Sequence, residues 1–218
     1  SETYARMSDR RPYQPDAAGA QRRALKNRCL DLLTADGKSE AIALAADQYA
    51  NANNMTDCMA ALAVLALHDV PDRTHAIADF YQRYAGDPLI VDKWFALQAG
   101  IPEKVTLARV RALTTHPAFS LTNPNRVRAL VGTFAQSNPT QFNRTDGAGY
   151  DFVVETVLAL DDKNPQVAAR LLSAFKSWRM LEPSRRKLAE AALRRIGAVT
   201  TLSRDVSDIL QRPLAEPE

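Results

Sequence analysis

The residues that could hold a metal or perform catalysis are few, and they form no recognised motif. His68, His75 and His116 are the only histidines of the chain. A helical zinc site needs HExxH, in which two imidazoles one helical turn apart bind the ion and the glutamate acts as a base. None of the three histidines begins that motif, since Asp-Val-Pro, Ala-Ile-Ala and a proline follow them in turn. We therefore predict no metal site and no catalytic residue within this chain.

Motifs for other chemistries are also missing from the sequence. It has no CxxC pair, no GxxxxGK[ST] phosphate loop, no GxGxxG dinucleotide fingerprint and no GxSxG nucleophile elbow. Carboxylates are plentiful, but on the solvated faces of helices they are the expected background and do not indicate an acid–base pair. Phosphate, dinucleotide and serine-hydrolase chemistry therefore have no support.

Two arginines are better candidates for binding a ligand. Arg128 in NPNRVR and Arg170 in NPQVAAR each lie within about two turns of an Asn-Pro pair that starts a helix, beside an apolar stripe. A positive charge early in a helix opposes the helix dipole, so another interaction should compensate for it. A guanidinium binds a carboxylate with two parallel hydrogen bonds. The alternative is that each arginine lies over apolar surface and pairs with a neighbouring Asp or Glu.

Other conspicuous side chains favour structural roles. We expect Arg126 to face solvent, although a contact with another domain is the alternative. Trp94 and Phe95 could form a binding platform, but large aromatics within an apolar helical string usually belong to the core. Tyr150 follows a Gly-Ala-Gly turn and has no assigned role. The basic run that starts at Arg185 favours a solvated face over an RNA site.

Short α-helices must position these residues. Apolar residues recur at helical spacing, and no β-branched run alternates with period two. Turn signals are frequent, among them three Asn-Pro pairs in which Asn can cap a helix and Pro can take its first position. We predict an all-α fold, a superhelical stack of short helix pairs of the HEAT or armadillo type, that is, an α-solenoid. Residues 1–15 would be an N-terminal arm or linker, and residues 16–218 the helical-repeat domain.

Composition predicts a folded protein and excludes some partners. Hydrophobic residues make up 46% of the 218 residues and charged residues 24%, which is usual for a globular chain. The net charge of +3 is spread over interleaved acids and bases, so nucleic acid is not an expected partner. No stretch approaches the roughly 18 apolar residues of a membrane span.

Cys29 and Cys58 fall in apolar helical strings and are expected to be buried free thiols. The chain starts at serine, and we expect it to be a piece of a longer protein.

Several strings of unusual composition carry a family resemblance. They are NNMTDCMAAL at 53–62, VDKWFALQA at 91–99, HPAFSLTNPNRVRAL at 116–130, SNPTQF at 137–142, DGAGYDFVVE at 146–155 and NPQVAARLL at 164–172. Together they resemble the C-terminal helical domain of the bacterial aminopeptidase N family, which are zinc metallopeptidases that remove N-terminal residues from peptides. The similarity runs from about residue 16 to about residue 212. None of these strings is catalytic in itself.

The resemblance implies a role within a larger enzyme. This chain would close the active-site cavity of a cytoplasmic zinc aminopeptidase without catalysing the reaction itself. The zinc ligands and catalytic glutamate would lie in an upstream catalytic domain, which would be its partner together with short peptide substrates. Arg128 and Arg170 would then bind the C-terminal side of the peptide. The alternative is a free-standing α-solenoid that serves as a protein-binding scaffold.

Overall fold

Every regular element that the structure describes is a helix. The computed structural model describes residues 2–8 and 12–214, so residue 1, residues 9–11 and residues 215–218 of the predicted arm and repeat domain lie outside the described residues. The predicted all-α class of packed short helices is confirmed. The chain forms two compact units, Ser1–Ala85 and Gly86–Glu218, a division that was not predicted from the sequence.

The described residues of the first unit form five helices. Neighbouring members pack against one another, with the third and fourth helices forming the most extensive pair. These helices are α1 (Glu2–Met7), α2 (Ala17–Thr34), α3 (Ser39–Asn51), α4 (Met55–Ala66) and α5 (Pro71–Tyr84).

A buried polar network connects the helices of the first unit. The Tyr4 hydroxyl of α1 donates to Gln48 Oε1 over 3.1 Å. Gln48 Nε2 in turn donates to Asn27 Oδ1 over 2.8 Å and to the Asp57 carbonyl over 3.0 Å. Lys26 on α2 pairs with the Asp57 carboxylate at 2.5 Å. The predicted arm over residues 1–15 therefore includes a helix that packs on α2. Polar side chains hold this helix against the others. Such contacts do not require apolar residues at helical spacing, so the sequence carries no periodicity that would predict the helix.

The second unit contains longer helices interrupted by short helical turns. The α-helices are α6 (Pro88–Gly100), α7 (Thr106–Leu113), α8 (Pro124–Val127), α9 (Thr133–Ser137), α10 (Pro139–Phe142), α11 (Ala148–Asp161), α12 (Pro165–Leu172), α13 (Pro183–Gly197) and α14 (Arg204–Leu214). A π-helical turn, Arg128–Gly132, joins α8 to α9 and makes one continuous helix of the three segments. Single 3₁₀ turns follow α12.

The three Asn-Pro pairs start helices as predicted. Asn123 Oδ1 accepts from the amides of residues 125 and 126, at 3.0 and 3.4 Å. Asn164 Oδ1 accepts from the Val167 amide at 3.2 Å. Asn138 caps α10, and its Nδ2 also donates to the carbonyls of Ala99 and Ile101, at 3.0 and 2.8 Å. The third cap therefore also fixes the start of α10 against the end of α6.

Aromatic side chains form much of the core of the second unit. Trp94 and Phe95 are buried, as predicted for a core string. Phe142, Tyr150 and Phe175 pack with ring centroids 5.1 to 5.6 Å apart. Edge-to-face contacts of this kind stabilise a core beyond the area that they bury.

Both cysteines are in the first unit and both are free. Cys58 is buried as predicted, and burial raises the pKa of its thiol. Cys29 is only partly buried, because it lies toward the outer side of α2, where Leu25 and Leu32 are exposed.

Candidate functional site

Arg128 and Arg170 line the same open cavity of the second unit. The cavity has a volume of about 220 Å³ and lies between the π-turn, α9 and α12. Its lining consists of Arg128, Gly132, Thr133, Gln136, Ser137, Val167, Arg170 and Leu171. The sequence analysis names both arginines as substrate-binding residues, and the structure brings them to one cavity.

Two capped helices place the arginines at this cavity. Arg128 is the first residue of the π-turn, which follows the helix start capped by Asn123. Arg170 lies in the last turn of α12, which starts at the Asn164 cap and packs against the π-turn. The prediction that its charge lies early in a helix and opposes the dipole was therefore wrong, because α12 is short and ends at Leu172. Because a π-turn inserts one extra residue per turn, it shifts the side chains after it relative to a regular helix, and such turns are frequent at functional sites.

Two positive charges and, among the residues that the structure describes, no acidic side chain line the cavity. Both arginine side chains are exposed. Arg128 donates to Asn125 Oδ1, a neutral acceptor. Among residues 2–8 and 12–214, neither guanidinium forms a salt bridge with a carboxylate, and the lining includes no acidic residue. The described residues therefore do not show the alternative, in which each arginine pairs with a neighbouring Asp or Glu.

The lining of the cavity has a small apolar part, its floor, to which Gly132 adds no side chain. A Cβ added at Gly132 would lie 3.8 Å from Arg128 Cβ and from the Val127 carbonyl oxygen, which is an ordinary contact distance. Glycine is therefore not required there to avoid a clash. Val167 and Leu171 from α12 complete the apolar part of the floor. The cavity thus combines a small apolar floor with two guanidinium groups, a pattern usual for a ligand site.

The neutral polar residues of the rim come from α9. Thr133, Gln136 and Ser137 contribute hydroxyl and amide groups that can donate hydrogen bonds. Gln136 Nε2 lies 3.4 Å from Ser173 Oγ, a long contact to the turn after α12. Together with the arginines, these groups make a site rich in donors, which suits an anionic ligand.

The prediction for Arg126 was wrong, because this residue is 8% exposed and lies inside the protein. Its Nε donates to the Ala118 carbonyl over 2.9 Å, and its Nη1 donates to the Pro88 carbonyl over 2.7 Å. It also pairs with Asp92, and its guanidinium lies 5.8 Å from the Phe95 ring centroid. Arg126 therefore fixes the segment before α8 to the start of α6, two residues before Arg128.

Tyr150 and His116 are structural. Tyr150 is 1% exposed and donates to Asn143 Oδ1 over 3.0 Å, and burial raises its pKa to about 12. His116 Nδ1 accepts from the Ala118 amide at 3.1 Å beside the Trp94 ring. Partial burial lowers the pKa of this imidazole.

The basic residues of α13 are largely paired. Arg185 Nε donates to the Asn143 carbonyl over 2.7 Å, Arg194 pairs with Glu190, and Arg195 pairs with Asp151. These contacts agree with the predicted solvated helix face.

The part of the chain that the structure describes contains no cluster of three or more His, Cys, Asp or Glu side chains that could hold a metal. None of the helices among the described residues combines the length and apolarity that crossing a membrane requires.

The fold defines a class. Pairs of short packed helices are typical of an armadillo-type helical-repeat domain. The chain belongs to the family described as "Domain of unknown function (DUF3458_C) ARM repeats", whose model matches residues 1–215.

Similar proteins place this family within aminopeptidases. The chain is 42% identical to aminopeptidase N of Caulobacter vibrioides over 203 residues, 93% of this chain and 23% of that protein. It is 38% identical to aminopeptidase N of Haemophilus influenzae, over 97% of this chain and 24% of that protein. It is also similar to a solved structure of Legionella pneumophila aminopeptidase A in complex with aspartic acid. That match has a TM-score of 0.86 and 31% identity, and covers 97% of this chain and 26% of the other.

The predicted resemblance to the C-terminal helical domain of bacterial aminopeptidase N is thereby confirmed. The chain spans about a quarter of the length of the curated relatives that it matches.

Proposed function

We propose that this chain is the part of a zinc aminopeptidase that closes the active-site cavity and binds the C-terminal side of the peptide substrate. One observation of the site carries the proposal: two exposed arginines without a carboxylate partner among the described residues line one cavity. A peptide whose N-terminal bond is being cleaved presents its free carboxylate at the far end. A guanidinium matches that carboxylate in charge and in geometry.

In this role the cavity orients the substrate. Binding energy from the end of the peptide that does not react can hold the reacting bond in place at a distant catalytic centre. The zinc ion would supply the hydrolytic chemistry and would be held by the upstream catalytic domain of the same polypeptide. The family and the two free thiols support a cytoplasmic enzyme.

The first experiment separates this role from catalysis. The upstream catalytic half, loaded with zinc, is assayed on alanyl peptides of increasing length with and without this chain added in trans. We expect the chain alone to be inactive and the mixture to change the preference for peptide length. Turnover by the chain alone would contradict the proposal. If the mixture behaves like the catalytic half alone, the scaffold alternative is favoured.

The second experiment tests the arginines in the full-length enzyme. Arg128→Ala and Arg170→Ala should raise the KM of tripeptides about three- to tenfold, since an exposed charge-assisted contact contributes about 1 kcal/mol. The kcat should change less, and an amidated tripeptide should not respond. Arg186→Ala, which removes an exposed arginine of α13 outside the cavity lining, is the matched control. Unchanged KM values in both cavity variants would show that the arginines do not contact the substrate.

A further inference from the structure

The charge of the cavity exceeds what one peptide carboxylate can neutralise. A carboxylate carries one negative charge, whereas Arg128 and Arg170 together bring two positive charges to the cavity lining. The two oxygens have enough lone pairs to contact both guanidinium groups, but one positive charge of the cavity then remains uncompensated. A second negative charge on the ligand would be attracted to it.

We infer that the cavity favours peptides whose last residue is aspartate or glutamate, because such an end carries two carboxylates for the two guanidinium groups. This inference rests on the proposed function and specifies the substrate class of the same cavity. It does not follow from that function alone, since a single terminal carboxylate would already satisfy it.

The remaining lining supports selection by charge. Thr133, Gln136 and Ser137 are neutral, so no acidic lining residue would repel a second carboxylate. Their hydroxyl and amide groups can donate to carboxylate oxygens that the arginines leave free. A site that holds a ligand carboxylate with charged donors discriminates against the uncharged isostere, because its donors then lose a partner.

The apolar floor predicts a weaker effect of side-chain size. Val167 and Leu171 offer little apolar area, and the cavity is open to solvent. In an open cavity a methylene group loses only part of its contact with water, so it contributes only a small part of the roughly fourfold gain in affinity that full burial of one methylene gives. An apolar last residue of similar size should therefore gain less than a second carboxylate.

The test compares isosteric ligands on the unaltered cavity, by NMR titration of the chain with four tripeptides. Ala-Ala-Asp carries two carboxylates at its end, Ala-Ala-Asn is its uncharged isostere, Ala-Ala-Leu tests the apolar floor, and amidated Ala-Ala-Ala removes the terminal carboxylate. We expect Ala-Ala-Asp to bind about three- to fivefold more tightly than Ala-Ala-Asn, the size of one exposed ion pair. The preference should fall as salt rises, because the site is exposed.

Matched variants assign the preference to the two arginines. Arg128→Gln and Arg170→Gln should each abolish the difference between Ala-Ala-Asp and Ala-Ala-Asn. Arg186→Gln removes an exposed arginine that does not line the cavity and should leave the difference unchanged. A preference that survives in both cavity variants would overturn the inference.

The ligand set separates failure of this inference from failure of the proposed function. If Ala-Ala-Asn binds more tightly than the amidated peptide but equals Ala-Ala-Asp, the terminal carboxylate contact stands and only the inference fails. If no peptide binds more tightly than the amidated one, both fail. Inorganic phosphate is the last ligand to be titrated. If phosphate saturates the cavity while Ala-Ala-Asp binds no more tightly than Ala-Ala-Asn, the inference is overturned in favour of a site for free anions.

Discussion

Replacement of Arg126 by methionine should destabilise the second unit more than any loss of an exposed arginine. The guanidinium donates to the carbonyls of Ala118 and Pro88 and pairs with Asp92. The side chains of Arg126 and Asp92 are only 9% and 19% exposed. Arg126→Met keeps most of the apolar stem but leaves a partly buried carboxylate and two carbonyl groups without their donor.

The cost can be estimated from these contacts. Removal of one partner of a buried ion pair costs about 3–5 kcal/mol. The partial exposure of Asp92 lets water replace some of the lost contact, and the methionine retains packing, so we expect about 2–4 kcal/mol. In a domain of this size that corresponds to a fall in Tm of roughly 4 to 16 °C. Urea unfolding followed by circular dichroism measures the change.

A double-mutant cycle tests whether the ion pair is the cause. Asp92→Asn should cost less than Arg126→Met, because the amide oxygen can still accept from the guanidinium. The double variant should cost less than the sum of the two single variants, with a coupling of about 1–3 kcal/mol. The reasoning would be refuted if Arg126→Met cost no more than Arg186→Met, its exposed control, or if the two sites were additive.

Three further predictions concern stability and titration in the second unit. Asn138→Ala should lower the free energy of unfolding in urea by about 2–4 kcal/mol, because the variant loses both the α10 cap and the donor to two buried carbonyls. A loss below that expected for a helix cap alone would contradict this double role of Asn138. Gly149→Ala should destabilise by about 1–3 kcal/mol, since its Cβ would clash with the Phe142 carbonyl oxygen and the backbone would have to move; an unchanged unfolding midpoint would show that α11 can shift freely. Asp146 should titrate near pH 2 by NMR, because hydrogen bonds from Arg144 lower its pKa to about 2. Since the folded pKa lies below the unfolded value of 3.8, its contribution to stability is present above about pH 4 and is lost as the pH falls toward 2. In Arg144→Gln the midpoint should rise, and an unmoved midpoint would exclude the ion pair as the cause.

The helix starts were predictable because their signals are local. An Asn-Pro pair states both the cap and the first helical position within two residues, and all three pairs cap helices in the structure. The burial of Trp94 and Phe95 was predictable for a similar reason, because large aromatic side chains within an apolar run at helical spacing usually belong to the core.

The environment of Arg126 was not predictable, because its partners are distant in sequence. Arg126 and Arg128 lie two positions apart and both follow the Asn123 cap, yet one is buried and the other is exposed. The difference depends on where α6 presents Asp92 and the Pro88 carbonyl. The π-turn at Arg128–Gly132 also has no sequence signal, since it depends on how the helix packs.

The contrast among the arginines of the second unit supports the proposal that the cavity binds a ligand. Arg111 pairs with Glu155, and Arg195 pairs with Asp151, both across helices at 2.7 Å. Acidic residues therefore neutralise some of the exposed arginines of the second unit. Arg128 and Arg170 line one cavity without such a partner among the described residues. Two like charges at one cavity repel each other, and a negatively charged ligand would relieve that repulsion. Their shared placement therefore supports the proposed anionic ligand, as expected where a functional site departs from the pattern of the surrounding surface.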